Sequence, residues 1–384
     1  MVDFDFIIVG AGFAGCVIAE RIASVLNKKV LIIEKRNHVG GNCYDYRNES
    51  GIIVHKYGPH IFHTDDKEVF DYLSSFTEWH IYQHKVLSLI DGKKVPIPFN
   101  LDTLHMLFPK MLADRIEEKL LDRYPLNSKI PICELRKEND EELEHFADYV
   151  YEKVFRNYTA KQWGLPVEEI SKEVTARVPV YISRDDRYFT DRYQVVPAGG
   201  YTKLFERMLD QGNIKLMLNT DFREIMNIDD QHRRIYFLSQ EFSGTVVFTG
   251  MIDELFDYKY GALPYRSLDL RFQTIDADRF QESAVVNYPN EYDFTRITEF
   301  KYIHPVKTKS TTILQEYPRT YQSGQNDPFY PISTDANLEV YSSYKRLAEQ
   351  FGNIIVVGRL AEYRYYDMDD VVRRAMDVFE NRIM

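Results

Sequence analysis

The residues with types and spacing suited to chemistry fall into separate groups along the chain. Gly10, Gly12 and Gly15 fit G-x-G-x-x-G directly after the apolar run Phe4-Asp5-Phe6-Ile7-Ile8-Val9. In a nucleotide-binding unit the first glycine permits a tight turn, the second lets backbone approach a pyrophosphate, and the third lets helix pack on strand. The free N–H groups and positive dipole end of the helix that follows suit phosphate. Glu34 lies 24 residues beyond Gly10, close to the ~20 expected of a carboxylate that holds a ribose. This chemistry is dinucleotide binding; the alternative is an α/β unit whose glycines serve only packing. A second group runs from His55 to Thr64, with His55, His60 and His63 spaced by 5 and 3. No matched carboxylates or cysteines accompany them, so no metal site is expected. The Gly58-Pro59 turn suits them instead to presenting His60, Phe62 and His63 to a planar ring. A third group sets Arg177 near Trp163 in a polar, loop-like stretch, which reads either as a lid over a site or as a surface connection.

The elements that must position these groups follow from periodicity. Phe6–Val9, a helix to about Asn27, and Val30-Leu31-Ile32-Ile33 ending at Glu34 form a β-α-β unit. The turn from Lys35 to Asn42, with Gly40-Gly41, either brings backbone N–H groups to a cofactor or is a plain flexible loop. Turn residues and prolines from Asp91 to Pro98 mark a boundary, and helices are expected from Pro109 and from about Asp140 to Tyr158. After Gly199-Gly200 a helix covers about Thr202 to Gln211. Short β-prone runs follow, and those at Leu268–Phe272, Ala284–Tyr288, Thr295–Ile303 and Thr311–Glu316 suggest an antiparallel sheet that floors a substrate site. Finally Asn353–Val357 leads through Gly358-Arg359 and Tyr363, Tyr365 and Tyr366 to Asp367, which is suited to capping a terminal helix. That strand, glycine and helix repeat the opening logic, so the end of the chain is expected to touch the same cofactor.

Composition excludes several classes. With 384 residues, 44% hydrophobic and 28% charged, the chain is globular and too long for one core. A net charge of −11 argues against a nucleic-acid partner. No apolar run approaches the ~18 residues of a membrane span, and Asp3 and Asp5 do not suit a signal peptide. Cys16, Cys43 and Cys133 form neither a disulfide framework nor a zinc motif, which makes the cytoplasm the expected compartment. The 28 tyrosines suit a pocket for sugar hydroxyls and phosphates, or are simply amphipathic surface residues.

Taken together the motifs resemble the bacterial UDP-galactopyranose mutase family. The resemblance is carried by Gly10 to Gly15, Lys35 to Asn42, Tyr57 to Thr64, Tyr158 to Gly164, Arg177 to Val180, Phe294 to Glu299, Pro328 to Ile332, and Gly358 through Met368. It implies a Rossmann-like FAD-binding domain with a helical-bundle insertion and an antiparallel β-sheet domain. The implied division is 1–80, 200–250 and 331–384 for FAD, 81–180 for the helical domain with a mobile loop at about 165–180, and 181–199 with 251–330 for the substrate sheet. The implied reaction interconverts UDP-galactopyranose and UDP-galactofuranose. N5 of reduced FAD attacks the anomeric carbon, UDP leaves, and the ring opens through a flavin iminium before reclosing. The resemblance also implies a cellular reductant such as NAD(P)H, and a homodimer.

Residue by residue, Arg177 and Arg296 match a pair of diphosphate arginines, a role suited to the planar guanidinium. Tyr188, Tyr330 and Tyr365 match phosphate donors, Phe155 and Tyr158 the uracil end, Trp163 the loop entrance, and Asn287 belongs with the substrate set. His63 matches a histidine beside the flavin. Gly10, Gly12, Gly15, Glu34, Lys35, Gly41, Asn42, Tyr57, His60, Phe62, Arg359, Asp367 and Met368 are the cofactor set. Two positions depart from the family pattern: His84 stands where relatives carry Asn near the sugar, and Tyr181 where many carry a second Arg. The first leaves a 2-acetamido sugar open as the substrate. Two further functions compete with the mutase: an FAD-dependent oxidase of the amine-oxidase type, and a non-catalytic module that binds a UDP-sugar or FAD.

Overall fold

The computed structural model describes residues 4–164 and 179–384, with the Trp163 side chain excepted. Phe6–Val9 is the centre of a five-stranded parallel sheet, flanked by Val30–Ile33 and then Ile214–Met217 on one side. Thr245–Phe248 and then Ile354–Val356 lie on the other. Phe6–Val9 and Val30–Ile33 read as continuous apolar runs because helices cover both faces, whereas the edge strand Ile214–Met217 exposes Lys215 and Leu216. The helix Phe13–Leu26 and the terminal helix Met368–Val378 share one core with Tyr201–Leu209, while Tyr344, Leu347 and Phe351 belong to the core on the opposite face. The first crossover runs to one side of Phe6–Val9, and Thr245–Phe248 and Ile354–Val356 add to the other. The carboxyl ends of the strands therefore open a crevice where the order reverses, the expected position for a ligand.

The second layer is a seven-stranded sheet in the order Tyr330–Pro331, Tyr265–Ile275, Thr311–Thr320, Arg296–Glu299, Val285–Asn287, Val86–Ile90, Lys93–Ile97. It is antiparallel except where Val285–Asn287 runs parallel to Val86–Ile90. Residues 86–97, which the expected division assigns to the helical segment, thus lie at the edge of this sheet. Alternate burial of Val86, Ser88 and Ile90 marks a strand, and Val86 and Ile90 turn to the core of the helical segment while the backbone pairs with the sheet. Thr295–Ile303 also differs from the expected single strand. It is strand Arg296–Glu299 followed by a helical turn Phe300–Ile303, because Phe300 and Ile303 are both fully buried at three-residue spacing.

The helical segment contains Leu101–Leu107, Lys110–Arg123, Ile132–Leu135 and Glu141–Val150, capped by Asn100 at the first and Asp140 at the last. The expected single helix from Asp140 is interrupted by a π-turn at Tyr151–Arg156 and resumes as Asn157–Trp163, ending at Gly164 with φ 64°. Pro179–Tyr181 pairs with Lys129–Pro131 and Phe99–Asn100, so the end of the stretch expected as a loop is a strand. Among the described residues no helix is long and apolar enough to cross a membrane.

Candidate active site

The glycine motif lies at the crevice, and each glycine there has its own geometric reason. Gly10 adopts φ +104°, and a Cβ there would sit 2.1 Å from Thr249 Oγ1. A Cβ on Gly15 would sit 2.0 Å from the Gly10 carbonyl, so this glycine is demanded by packing. Gly12 is different. It caps the helix Phe13–Leu26 at φ −84°, which any residue adopts, and a Cβ would meet nothing nearer than Gly41 Cα at 3.8 Å. The protein by itself leaves room over Gly12, and that room belongs to a cleft of about 1240 Å³, counted with its open mouth. Its lining runs from Gly10, Gly12 and Glu34 to His60, Phe329 and Arg359, so the cleft suits an elongated ligand that starts at the glycine turn.

Of the cofactor set, Gly10, Gly12, Glu34, Lys35, Gly41, Asn42, His60, Arg359 and Met368 line this cleft. The Glu34 carboxylate accepts from the Ala11 amide at 2.9 Å and the Arg36 amide at 2.8 Å, which holds it at the crevice wall. Asp367 caps the terminal helix in a reciprocal box with Asp370 and does not itself line the cleft, whereas its neighbour Met368 does. Tyr57 stands one layer back, with its hydroxyl 2.8 Å from His38 Nε2 and the Arg36 guanidinium 4.2 Å from its ring centroid. Burial pushes its phenol up to about 12. Phe62 is fully buried, stacked on Trp79, and Gly15 serves the helix–strand contact.

Sequence reasoning missed Arg36, Cys43, Thr249 and Phe329 on the cleft wall. Arg36 and Phe329 carried a signal, lying in the stretches Lys35 to Asn42 and Pro328 to Ile332; Cys43 and Thr249 carried none. Its guanidinium bonds Asn42 Oδ1 at 3.0 Å and Asp327 Oδ1 at 2.7 Å, tying the opening unit to a segment near the other end of the chain.

Beyond His60 and Arg359 the cleft wall meets a second group of side chains. Arg296, on the strand Arg296–Glu299, donates from Nε to Glu316 Oε2 at 2.9 Å. Burial opposes its charge, but Glu316, Tyr158 and Tyr330 outweigh it and hold the guanidinium well above its ordinary value. Glu316 is 1% exposed; burial pushes its carboxyl up while Arg296 opposes. Its Oε1 and the buried Asn287 Oδ1 have no hydrogen-bond partner among the described residues. Asn287 is the strand partner of Arg296, so two unsatisfied acceptors flank this cation. Burial raises the Tyr158 phenol, with Arg296 opposing, so it is a hydrogen-bond donor at neutral pH. The Tyr330 and Tyr365 rings stack at 5.8 Å, and the Arg359 guanidinium carbon lies 5.5 and 5.4 Å from their centroids. Tyr188 packs edge-on against His84 at 5.7 Å. Burial, then Arg296 and His63, push His84 down to about 3, so it is neutral. Phe155 is fully enclosed in the helical core and has no open face. Arg177 and the Trp163 side chain lie outside the described residues.

Of the three histidines of the patch, the two expected at the site separate. His60 lines the cleft; burial, with Arg359 and Arg296 acting the same way, pushes it down to about 4. His63 does not line the cleft. Its ring stacks on Phe189 at 3.6 Å and its Nδ1 lies 3.3 Å from Asp191 Oδ2. Burial alone would lower its pKa, but Asp191 raises it above the ordinary 6.5. A raised histidine adds stability below that ordinary value and loses it as pH rises through the folded one. Asp191→Asn should therefore shift the His63 titration, followed by NMR, to lower pH. An unmoved titration would mean that Asp191 is not the source.

The side chains thus offer a dinucleotide cleft continuous with a cationic, phenol-lined recess. A family model described as UDP-galactopyranose mutase matches residues 153–365, and one described as an NAD(P)-binding Rossmann-like domain matches residues 8–76. The UDP-galactopyranose mutase of Mycoplasma pneumoniae (strain ATCC 29342 / M129 / Subtype 1) is 34% identical over 97% of this chain and 94% of its own length. The chain belongs to the UDP-galactopyranose mutase family. The dTDP-fucopyranose mutase of Escherichia coli is 33% identical over 97% of this chain and 96% of its own length. A crystal structure of reduced UDP-galactopyranose mutase has the same fold, with a TM-score of 0.76 at 15% identity, covering 100% of this chain and 94% of that one. Membership makes the chain an enzyme of the mutase class, and the recess at Arg296 is where its acceptors, phenols and cation converge.

Proposed function

We propose that this mutase interconverts UDP-galactopyranose and UDP-galactofuranose with FAD in the cleft, active when the flavin is reduced. The observation that carries the reading is the cation Arg296, held by buried Glu316 among Tyr158 and Tyr330, beside the cleft residues His60 and Arg359. Reduced FAD supplies, when bound, the nucleophile N5 for the anomeric carbon as UDP departs.

The chain's own residues would then act on charge and position. Departure of UDP puts negative charge on the diphosphate, and Arg296 with the Tyr158, Tyr188, Tyr330 and Tyr365 hydroxyls offers donors there without solvent reorganisation. Arg177 is read as the second diphosphate cation and Trp163 as the residue at the entrance. The room over Gly12 admits the cofactor pyrophosphate at the start of the helix Phe13–Leu26, and Glu34 is set for the ribose. His63, charged more readily because of Asp191, is read as the histidine whose positive charge favours the negatively charged reduced flavin. A reductant such as NAD(P)H would keep the flavin active.

A second reading, the same isomerisation on a dTDP-6-deoxy sugar, is favoured by the similarity to the dTDP-fucopyranose mutase. Purified protein should be yellow and, after reduction, should convert UDP-galactofuranose to UDP-galactopyranose with no substrate-linked oxygen uptake. Parallel incubations with UDP-galactose, UDP-N-acetylgalactosamine and dTDP-fucose, followed by product chromatography, separate the substrates. Equal turnover by oxidised enzyme would sink the flavin chemistry, and stoichiometric oxygen consumption would make the enzyme an oxidase.

A further inference from the structure

Behind the cleft wall lies a buried histidine pair outside the catalytic recess. His55 is fully buried and His304 is 6% exposed, and their Nε2 atoms are 2.9 Å apart. The other ring nitrogen of His55, Nδ1, lies 3.0 Å from the backbone N of His60. His60 closes its own turn, with Nδ1 2.8 Å from the Gly58 carbonyl.

These contacts admit one proton arrangement. A carbonyl only accepts, so His60 Nδ1 carries the proton and its Nε2 bears a lone pair. A backbone N–H only donates, so His55 Nδ1 bears a lone pair and its proton is on Nε2. That proton is donated to His304 Nε2, which leaves the His304 proton on Nδ1. Burial keeps all three rings neutral. The opposite tautomer of His55 would set its Nδ1–H against the His60 amide and push the Gly58–His60 turn away from the pair. Both ring nitrogens of His55 thus have partners, and the neighbouring Asp45 carboxylate is turned to the Tyr201 and Thr202 amides, from which it accepts at 2.6 and 2.9 Å.

We propose that His304 and His55 are positioning residues: His304 sets the tautomer of His55, which tethers the His60 turn so that His60 presents an unprotonated Nε2 to the dinucleotide cleft. The inference rests on reading the cleft as a flavin site. In chemical class, the group that meets His60 is a hydrogen-bond donor of the bound cofactor. His304 thereby acts through His55 and His60 without touching the cleft.

The test uses the full-length oxidised holoenzyme labelled with ¹⁵N-histidine. NMR should show His55 protonated at Nε2 and His60 and His304 at Nδ1. His304→Gln retains an acceptor oxygen near the position of Nε2 and should keep the His55 tautomer and the flavin visible spectrum. His304→Leu removes the acceptor. It should shift the flavin spectrum and lower kcat by up to ~10-fold, the worth of one hydrogen bond, with KM for the nucleotide sugar unchanged. The proposal is overturned by any other tautomer in the wild-type protein. It is equally overturned by a wild-type flavin spectrum and kcat in His304→Leu, or by equal losses in the Gln and Leu variants. A wild-type protein without flavin would overturn the cofactor reading instead, and the tautomers would still be readable.

Discussion

Arg296→Lys should lower kcat by ~10²–10³-fold while the protein remains folded and yellow, because one preorganised donor at a developing anion is worth that much. The guanidinium is held through Nε by a buried carboxylate, so its plane is fixed before substrate arrives. Lysine keeps the charge but has neither the Nε anchor nor the fork, and cannot hold both Glu316 and a diphosphate oxygen in that geometry. Alanine would be a poorer probe. It leaves Glu316 buried without its cation, at a cost of about 3–5 kcal/mol, and would confound folding with chemistry. The loss should appear in kcat more than in KM, since the charge that Arg296 meets grows as UDP departs. Steady-state kinetics on reduced enzyme, with FAD occupancy measured by absorbance, decide it; a wild-type kcat would remove Arg296 from the mechanism.

Gly12→Ala and Gly15→Ala should fail in opposite ways although both lie in one motif. Gly12 has an ordinary φ and an open neighbourhood, so the alanine variant should fold with near wild-type thermal stability. Its methyl group would occupy space that the cofactor needs, and overpacking of about 1–3 kcal/mol predicts roughly a 5- to 150-fold loss of FAD affinity. Gly15→Ala places Cβ 2.0 Å from the Gly10 carbonyl, so backbone must move. That variant should lose stability before cofactor binding can be compared. Thermal melts of the cofactor-free proteins and FAD titration separate the two. Equal destabilisation of both would mean that the Gly12 site is closed in solution, and unchanged FAD affinity in Gly12→Ala would remove the pyrophosphate from that position.

The opening unit was legible because its signals are local. A buried strand, a glycine turn, a helix and a second strand each declare themselves within a few residues, and all pair in register from Phe6 against Val30 to Val9 against Ile33. The terminal helix was legible for the same reason, through Asp367 and the Gly358 turn, which has φ +100°. The π-turn at Tyr151–Arg156 was not, because helical periodicity tolerates one widened turn without changing which residues are apolar. Nor was the placement of residues 86–97 at the edge of the large sheet, since a strand does not name its partner.

At the site, residue types alone supported a dinucleotide, and motif resemblance supported a nucleotide sugar. Both rest on short stretches whose chemistry is carried by adjacent residues. Folding alone separated His60 from His63, which are three residues apart, one before and one within the strand Phe62–Thr64, and face different surroundings: the cleft in one case, Phe189 and Asp191 in the other. Folding alone also brought Glu316 to Arg296 and His304 to His55, contacts that span 20 and 249 residues. Local sequence sets turn, helix and strand because those depend on neighbours along the chain. Burial, charge and tautomer depend on neighbours in space, and these assign each histidine and arginine its part.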